Sequence, residues 1–311
     1  SHVTTAGTFV PPTVLEIRSL EELTQEVFGP VLHVIRYKRA DLPKLIDQIN
    51  GSGFGLTLGV HSRIDETIDY ITSRAHVGNI YVNRNIVGAV VGVQPFGGEG
   101  KSGTGPKAGG PLYLKRLQRD AHVAENRQPN SSPALDALTA WASSHGHDHL
   151  AHLAEAYGRN SLLNQLTVLP GPTGERNTLA LVARGAIVCA AATQGALLNQ
   201  LAATLATGNI ALLAGATAQL LPADLPTAVK DRIQIIAQPD DFDAEFQIAL
   251  VESALTGTLR TRLAAREGAL VGLVETDACG AIPLWRLLAE RALCVNTTAA
   301  GGNASLMTLD A

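Results

Sequence analysis

The residues with the clearest spacing for phosphate binding form a glycine-rich run in the first half of the chain. Residues 98–103 (GEGKSG) match the G-x-G-x-x-G pattern of dinucleotide-binding turns, and residues 100–102 resemble the end of a Walker A loop. A dinucleotide-binding turn opens a helix, which residues 105–106 (GP) would break, and a Walker A loop requires glycine where Pro95 stands. We therefore interpret the run as a structural or substrate-binding loop.

A cluster of histidines in the second half could in principle bind a metal ion. Its members are His145, His147, His149 and His152. Three of them, His145, His149 and His152, would share one face if a single helix carried them. No cysteine or glutamate completes a firm ligand set, and no capping signal fixes a helix here. We interpret the cluster as a solvated helix end or loop, with weak adventitious metal binding as the alternative, and predict no metal site.

Each of the three cysteines is a possible nucleophile. Cys189 and Cys294 lie in apolar, strand-like runs, where burial raises the pKa of a thiol and suppresses its reactivity. Cys279 follows Asp277, and a nearby carboxylate also disfavours the thiolate. We interpret all three as packing residues. Three cysteines in irregular contexts exclude a disulfide scaffold and a C-x-x-C zinc or redox site, and they fit a reducing compartment.

A set of motifs in the first 118 residues resembles a known enzyme family. These motifs are residues 25–31 (QEVFGPV), 78–83 (GNIYVN), 95–98 (PFGG), 102–104 (SGT) and 107–113 (KAGGPLY). Their order and spacing resemble the C-terminal part of the catalytic domain of the NAD-dependent aldehyde dehydrogenases. Over residues 5–118 the chain is most similar to the glutamate-semialdehyde (1-pyrroline-5-carboxylate) dehydrogenases at the dehydrogenase end of the bacterial proline utilisation A family.

The resemblance implies roles for individual residues. Glu26 matches the glutamate that accepts hydrogen bonds from the nicotinamide ribose of NAD, and Phe28 matches the aromatic residue beside the nicotinamide ring. Gly109 and Gly110 match the loop whose backbone N–H groups hold the substrate carboxylate, and Ser102 is a candidate for ordering that substrate loop. The alternatives are a turn cap for Glu26, a core position for Phe28 and a plain turn at the glycines.

The resemblance also implies what this chain does not supply. Aldehyde dehydrogenases use a cysteine nucleophile and a glutamate base, and their motifs would precede Ser1. None of the three cysteines here lies in the family's nucleophile context. We therefore assign no catalytic residue to the chain, expect it to carry part of a catalytic domain, and predict that it is inactive alone. NAD is the implied cofactor; FAD would serve only a proline dehydrogenase region elsewhere in related proteins.

The second half resembles a decayed dinucleotide-binding half of the same family. Residues 172–177 and 201–209 carry this likeness, and residues 294–309 are similar to the tail of long proline utilisation A proteins. An active member would carry a lysine near residues 214–215, where this chain has Ala-Gly. The resemblance implies a non-catalytic domain that covers the passage between active sites; the alternative is a domain for stability and assembly.

The elements that must position these residues follow an α/β pattern in each half. Residues 1–118 predict a β-α-β-α-β order with a parallel sheet, as a portion of an aldehyde dehydrogenase catalytic domain. Residues 119–135 are polar and punctuated by proline, which predicts a linker. Residues 136–311 alternate strand and helix signals again, which predicts a Rossmann-like, aldehyde-dehydrogenase-like α/β domain.

Composition and charge limit the partners of the chain. The net charge of −4 over 311 residues gives no basic excess, so we predict no nucleic-acid binding. No apolar window is long enough for membrane insertion. The resemblance implies glutamate semialdehyde as substrate, the upstream part of the same polypeptide as partner, a homo-oligomer, and a cytoplasmic location with peripheral association at the inner membrane for full-length relatives. The alternative function is a non-catalytic module that docks on an enzyme core.

Overall fold

Residues 7–118, 132–237 and 245–298 are the part of the chain that the computed structural model describes. The first of these ranges contains six strands and three helices. They are β1 (Thr13–Glu16), β2 (Val31–Val34), α1 (Leu42–Gly51), β3 (Phe54–Gly55), β4 (Thr57–Val60), α2 (Asp65–Arg74), β5 (Asn79–Val82), β6 (Glu99–Gly100) and α3 (Tyr113–Leu117).

The remaining described ranges carry eight strands and six helices. They are α4 (Pro133–Ser144), α5 (Asp148–Asn160), β7 (Leu166–Leu169), β8 (Glu175–Ala183), β9 (Ala186–Ala190), α6 (Gln194–Ala206), β10 (Ile210–Ala214), α7 (Gly215–Ala218), α8 (Thr227–Lys230), β11 (Ile233–Ile236), β12 (Ile248–Glu252), α9 (Thr256–Ala264), β13 (Gly272–Thr276) and β14 (Leu288–Asn296). None of the described helices combines the length and the apolar character that a bilayer span requires.

A parallel five-stranded sheet forms the centre of the second half. Its strand order is β11-β10-β9-β12-β13, and every neighbouring pair is parallel. Side chains of β9 alternate between two cores: Ile187 and Cys189 pack with α4, α5 and α6, whereas Val188 and Ala190 pack with α9. Both faces are therefore covered, as parallel sheets require. The predicted Rossmann-like arrangement is confirmed.

A second five-stranded sheet contains strands from both halves of the sequence. Its order is β4-β5-β14-β8-β7. The last strand, β14, pairs in parallel with β5, with Ala292 opposite Asn79, and antiparallel with β8 over the whole of both strands. The two halves are thus joined through backbone hydrogen bonds at the middle of one sheet. The domain limits 1–118 and 136–311 stay a prediction, but these two segments do not form separate sheets.

The β-α-β-α-β expectation for the first half is correct in element order and wrong in one pairing. Helices α1 and α2 and strands β4 and β5 lie where the sequence predicts them, and β4 pairs in parallel with β5. Strand β2, however, pairs with β1 in a sheet of two strands and does not join β4. The place beside β5 is taken by β14, a pairing over more than 200 residues that no local pattern encodes.

The end of the predicted linker is helical. Helix α4 begins at Pro133, and the Ser132 hydroxyl accepts a hydrogen bond from the backbone N–H of Leu135 at 3.1 Å. Serine at the N-cap followed by proline in the first turn is a strong start signal, because proline has no N–H to leave unpaired there. Residues 133–135 therefore belong to the helix, and residues 119–131 of the predicted linker lie outside the described residues.

The pairing of β14 with β5 predicts a specific sensitivity to proline. The Ala292 N–H donates to the carbonyl of Gly78 at 2.8 Å. Ala292→Pro removes this donor from a central strand, so we expect it to lower the free energy of unfolding by about 3 kcal/mol or more. Ala292→Gly keeps the N–H and should cost only about 0.5–1 kcal/mol. Urea unfolding compares the two; an equal loss would contradict the pairing.

Candidate functional site

Glu26 and Phe28, the predicted cofactor residues, lie on an exposed connection between the short turn Leu20–Glu22 and β2. The side chain of Phe28 is 95% exposed, so it is not a core residue of the described chain. The carboxylate that caps the turn in this stretch belongs to Glu22, which accepts from the backbone N–H groups of Arg18 and Ser19 at 2.7 and 3.2 Å. Both predicted residues therefore remain accessible to a ligand. Their contact with NAD stays a prediction.

Several exposed apolar side chains lie in the same part of the sequence as these two residues. The exposed ones are Phe9, Val10, Val14, Leu15, Val27 and Leu32. Strands β1 and β2 pair only with each other among the described residues. An exposed apolar surface of this kind is typical of an interface.

We call residues 95–110 the substrate loop, after its predicted role. A backbone bridge holds this loop. Phe96 and Ala108 exchange both backbone hydrogen bonds, at 3.0 and 2.9 Å. Gly109 adopts φ +71, a left-handed conformation that favours glycine. The Gly110 N–H donates to the Lys107 carbonyl at 3.0 Å, so in this structure it is engaged inside the loop and does not point at a substrate. The role of Gly109 and Gly110 in holding a substrate carboxylate stays a prediction.

Ser102 also acts within the loop. Its hydroxyl accepts a hydrogen bond from the backbone N–H of Gly55 at 3.2 Å, next to the short β3–β6 pair. A Cβ on Gly98 would lie 2.6 Å from the Ser102 Cβ, so only glycine fits that position. This bond is compatible with the predicted ordering role of Ser102, which stays a prediction. Residues 98–103 include the two-residue strand β6 and the turn that follows it, and they open no helix, in line with our rejection of the two phosphate-loop motifs.

Lys107 is a functional candidate that sequence reasoning missed. Its side chain is buried, and its Nζ donates to the Asn79 Oδ1 at 3.1 Å and to the Gly97 carbonyl. Asn79 in turn donates to the Pro95 carbonyl at 2.8 Å and accepts from the Gly97 N–H at 3.1 Å. Lys107 and Asn79 therefore hold the backbone of residues 95–97 in the substrate loop. A lysine between a proline and a run of glycines was the only signal in the sequence.

A carboxylate of the second half completes this arrangement. Glu290 on β14 accepts the backbone N–H of Lys107 at 2.6 Å through its Oε2. Burial raises the pKa of Glu290, and the Lys107 N–H and ammonium oppose that shift. Burial also lowers the pKa of Lys107 to about 8, against the attraction of Glu290 and Glu99. The ion pair of Arg291 with Glu99 at 3.3 Å adds a second link between β14 and this loop.

The second half has the strand arrangement of a dinucleotide-binding crevice, but one of its own side chains occupies the phosphate position. The strand order reverses between β9 and β12, the place where folds of this order receive a pyrophosphate at a helix N-terminus. Here the Glu252 carboxylate accepts the N–H groups of Ala192 and Thr193 at 2.6 and 3.0 Å and the Thr193 hydroxyl at 3.0 Å, just before α6. An anionic side chain thus stands where a phosphate would bind.

The end of the same crevice that would bind adenosine also differs from that expected of an active family member. Strand β10 ends at Ala214, and α7 starts at Gly215, so the pair lies at the carboxyl end of the strand. No basic side chain stands at these two positions. Together with Glu252, this arrangement favours a non-catalytic second half.

The cysteines differ in their surroundings. Cys189 lies inside β9, and burial raises the pKa of its thiol to about 12, as the packing interpretation requires. Cys294 is also buried, but its Sγ lies 3.1 Å from the Arg84 guanidinium, which bonds Glu175 at 2.7 Å. The expectation of purely apolar surroundings is therefore wrong for Cys294. Cys279 is exposed.

The histidine cluster is divided between two helices. His145 follows the last residue of α4, whereas His149 and His152 lie on α5, so no single helix presents them together. His145 bonds Asp224 at 2.8 Å and stacks on Trp141. Within the described ranges, no group of histidine, cysteine and carboxylate side chains is arranged to hold a metal ion.

Comparison with known proteins agrees with the resemblance read from the motifs. Residues 1–123 match the model of the aldehyde dehydrogenase family. The chain is 49% identical over 326 residues to the bifunctional protein PutA of Escherichia coli (strain K12), which covers 98% of this chain and 24% of that protein. The PutA of Rhizobium meliloti is 46% identical over 317 residues, covering 98% and 26%.

Two further relatives match different shares of the chain. The 1-pyrroline-5-carboxylate dehydrogenase 1 of Halalkalibacterium halodurans is 41% identical over 121 residues, 38% of this chain and 23% of that enzyme. The solved structure of Proline Utilization A from Corynebacterium freiburgense matches with a TM-score of 0.61 at 25% identity over 88% of this chain and 26% of that one. The α/β fold class and the resemblance to the proline utilisation A family are confirmed. The chain spans about a quarter of the length of the bifunctional relatives.

The buried ammonium of Lys107 predicts a pH-dependent stability. Its pKa of about 8 lies below the ~10.4 of an unfolded chain, so the unfolded state binds more protons between these values. The penalty for burying the charge is complete below pH 8 and disappears as the pH rises through that window. Relative to Lys107→Met, wild-type stability should therefore rise with pH there by up to about 1.4 kcal/mol per pH unit.

Urea unfolding at several pH values measures this difference. Lys101→Met is the matched control, because Lys101 is exposed and makes a single bond to the Ser52 carbonyl. We expect wild type and the control to show the same pH dependence. A Lys107→Met curve parallel to both would show that position 107 carries no shifted proton.

The occupied crevice predicts an unequal response of two glutamates. Glu252→Ala leaves the N–H groups of Ala192 and Thr193 without their charged acceptor, so we expect a loss of about 1.5–3 kcal/mol in the free energy of unfolding. Glu275→Ala breaks a solvent-exposed pair with Arg260 and should cost no more than about 1 kcal/mol. Chemical denaturation of both variants measures the two losses. Equal losses in the free energy of unfolding would show that Glu252 does not stabilise the start of α6.

Proposed function

We propose that this chain is part of an NAD-dependent L-glutamate γ-semialdehyde (1-pyrroline-5-carboxylate) dehydrogenase that acts in proline catabolism to glutamate. The observation that carries the proposal is the accessible pair Glu26 and Phe28, whose side chains extend from an exposed segment with no core role in the described chain. The likeness of the first third of the chain to enzymes named 1-pyrroline-5-carboxylate dehydrogenase supports the same reaction.

Glu26 and Phe28 fit a role in holding the nicotinamide end of NAD. An ionised carboxylate is an acceptor with two oxygens, so Glu26 can take both hydroxyls of the nicotinamide ribose. The exposed ring of Phe28 offers an apolar face that limits where the nicotinamide can lie. NAD, when bound, supplies the hydride acceptor. These residues bind and orient the cofactor, and neither one forms or breaks a bond.

The substrate loop recognises the carboxylate of the substrate in this proposal. Gly109, in its left-handed conformation, is the position whose N–H remains a candidate donor, while Ser102 and Lys107 hold the loop in place. A backbone N–H group can attract an anion without a charged side chain, and Gly110 becomes a second donor only if it releases its bond to the Lys107 carbonyl. The nucleophilic cysteine and the basic glutamate of this chemistry belong to another part of the polypeptide, and the chain alone is inactive.

The second half serves as a non-catalytic cover for the dehydrogenase site. Its support is the occupied crevice at Glu252 and the contact of Glu290 with the substrate loop. The whole protein would work as a homo-oligomer in the cytoplasm, with proline oxidation and its FAD in a different region. Exposed apolar side chains on β1 and β2 favour a second candidate role, in which the chain docks on an enzyme core as an assembly module.

A kinetic comparison in the longer polypeptide distinguishes the two roles. Glu26→Gln keeps the size of the side chain but loses the charge, so we expect KM for NAD to rise by about tenfold to a hundredfold, the range for hydrogen bonds to an ionised group. Glu21→Gln is the matched control, since Glu21 is exposed in the neighbouring turn. The assay follows NADH formation from glutamate semialdehyde in a polypeptide that includes the preceding dehydrogenase region.

The outcomes separate the proposals clearly. A raised KM for NAD in Glu26→Gln, with an unchanged control, supports the cofactor role. Activity indifferent to both variants would leave only the assembly role. Turnover by the 311-residue chain without the preceding region would contradict the assignment of its catalytic residues to another part of the polypeptide.

A further inference from the structure

A small cavity lies between the substrate loop and the second half. Its volume is about 70 Å3, and its walls come from the 104–106 segment, α3, the end of β8 and the turn before β14. This volume is several times that needed for one water molecule and far below that of a nucleotide or drug-sized pocket. The cavity therefore suits a ligand of only a few heavy atoms.

The lining of this cavity carries an excess of positive charge. Arg116, Arg184 and Arg286 line it, and Glu290 is its single carboxylate, so the lining residues sum to 3 − 1 = +2. One oxygen of Glu290 is already bonded to the Lys107 N–H, and the Lys107 ammonium lies near enough to attract the same carboxylate. The other oxygen of Glu290, Oε1, is buried without a hydrogen-bond partner among the described residues, while the charges of Lys107 and Arg184 attract the carboxylate.

Neutral acceptors orient the guanidinium groups. Within the described part of the chain, Arg184 donates to the carbonyls of Thr104 and Arg286 and to the side-chain oxygen of Gln247, at 3.0 to 3.2 Å. Arg286 donates to the Leu273 carbonyl at 2.8 Å. These bonds fix the planes of two guanidinium groups. Because each group has five N–H donors, some of its donors remain available to a ligand.

The three cations also repel one another. Burial lowers the pKa of Arg286, and the charges of Arg116 and Arg184 lower it further. Trp285 lines the same cavity, and its indole N–H is buried without a hydrogen-bond partner among the described residues. Two of these arginines, Arg184 and Arg286, are partly buried, and like charges held together there beside an unused donor are costly unless an anion accompanies them.

We propose that this cavity binds a small oxyanion, a carboxylate or inorganic phosphate, between the guanidinium groups of Arg116, Arg184 and Arg286. The planar fork of a guanidinium group matches two oxygens of either anion. Because Thr104 and the following Gly-Pro line the cavity, the anion would also steady the segment that leads to Gly109. The proposal rests on these side chains and not on the dehydrogenase reaction.

Anion binding to the 311-residue chain tests the proposal directly. The probes are inorganic phosphate and acetate, with chloride at matched ionic strength as the screening control. Because the chain has two tryptophans, Trp141→Phe leaves Trp285 as the sole indole, and its emission reports on the cavity. We expect saturable binding of one or both oxyanions, a rise in Tm on addition of the one that binds, and no saturable response to chloride.

Two substitutions locate the binding. Arg116→Gln removes an exposed guanidinium group at the mouth of the cavity and should weaken the affinity about tenfold, the lower end for a hydrogen bond to a charged group. Arg63→Gln, an exposed arginine outside the lining, is the matched control and should change nothing. Arg286→Lys keeps the charge but loses the fork, and it should weaken binding as well.

The test has definite outcomes. Binding of phosphate alone supports a tetrahedral anion, and binding of acetate alone supports a carboxylate. If neither oxyanion binds, if chloride reproduces the effect, or if both Arg116→Gln and Arg286→Lys bind as tightly as Arg63→Gln, the proposal is wrong. Aldehyde oxidation enters none of these measurements, so their failure leaves the proposed function untouched.

Discussion

The arrangement of the substrate loop depends on one strand from the far end of the sequence. Strand β14 inserts between β5 and β8, and from that position Glu290 accepts the backbone N–H of Lys107. The buried lysine then reaches Asn79 on β5 and the Gly97 carbonyl. A backbone ladder and one buried carboxylate thereby link both halves to the same loop. Contacts within the first half, such as Lys107 with Asn79 and Ser102 with Gly55, and the Glu290 contact from the second half hold the loop together.

In our proposal, this contact gives the second half a positioning role without catalysis. Its parallel sheet is complete, covered on both faces, and its dinucleotide-type crevice is closed by the carboxylate of Glu252. What it offers instead is a rigid body from which β8 and β14 extend to the sheet of the first half. In this proposal, a fold typical of cofactor binding positions a neighbouring loop, in keeping with the rule that function belongs to sites and not to folds.

Local patterns in the sequence predicted much of this structure. The helical spacing after Asp41, the β-branched run at 186–190 and the Ala/Leu-rich helix α6 lie where expected, because each is defined by residues close in sequence. The split of the histidines between two helices is local, because Gly146, at φ +72, separates α4 from α5. Long-range features were not predictable: β14 beside β5 and the polar contacts of Cys294. Lys107 was missed for the same reason, since its partners lie 10 to 183 residues away.

Hydrogen exchange resolved to single strands tests the central claim most directly. If β14 joins the two halves in one sheet, the amides of β5, β8 and β14 open together, with the same free energy of opening and the same response to denaturant. The account predicts this common behaviour. Exchange in which β8 and β14 open as a unit while β5 remains protected, or the reverse, would show that the two halves are only neighbours, and the control of the substrate loop by the second half would be contradicted.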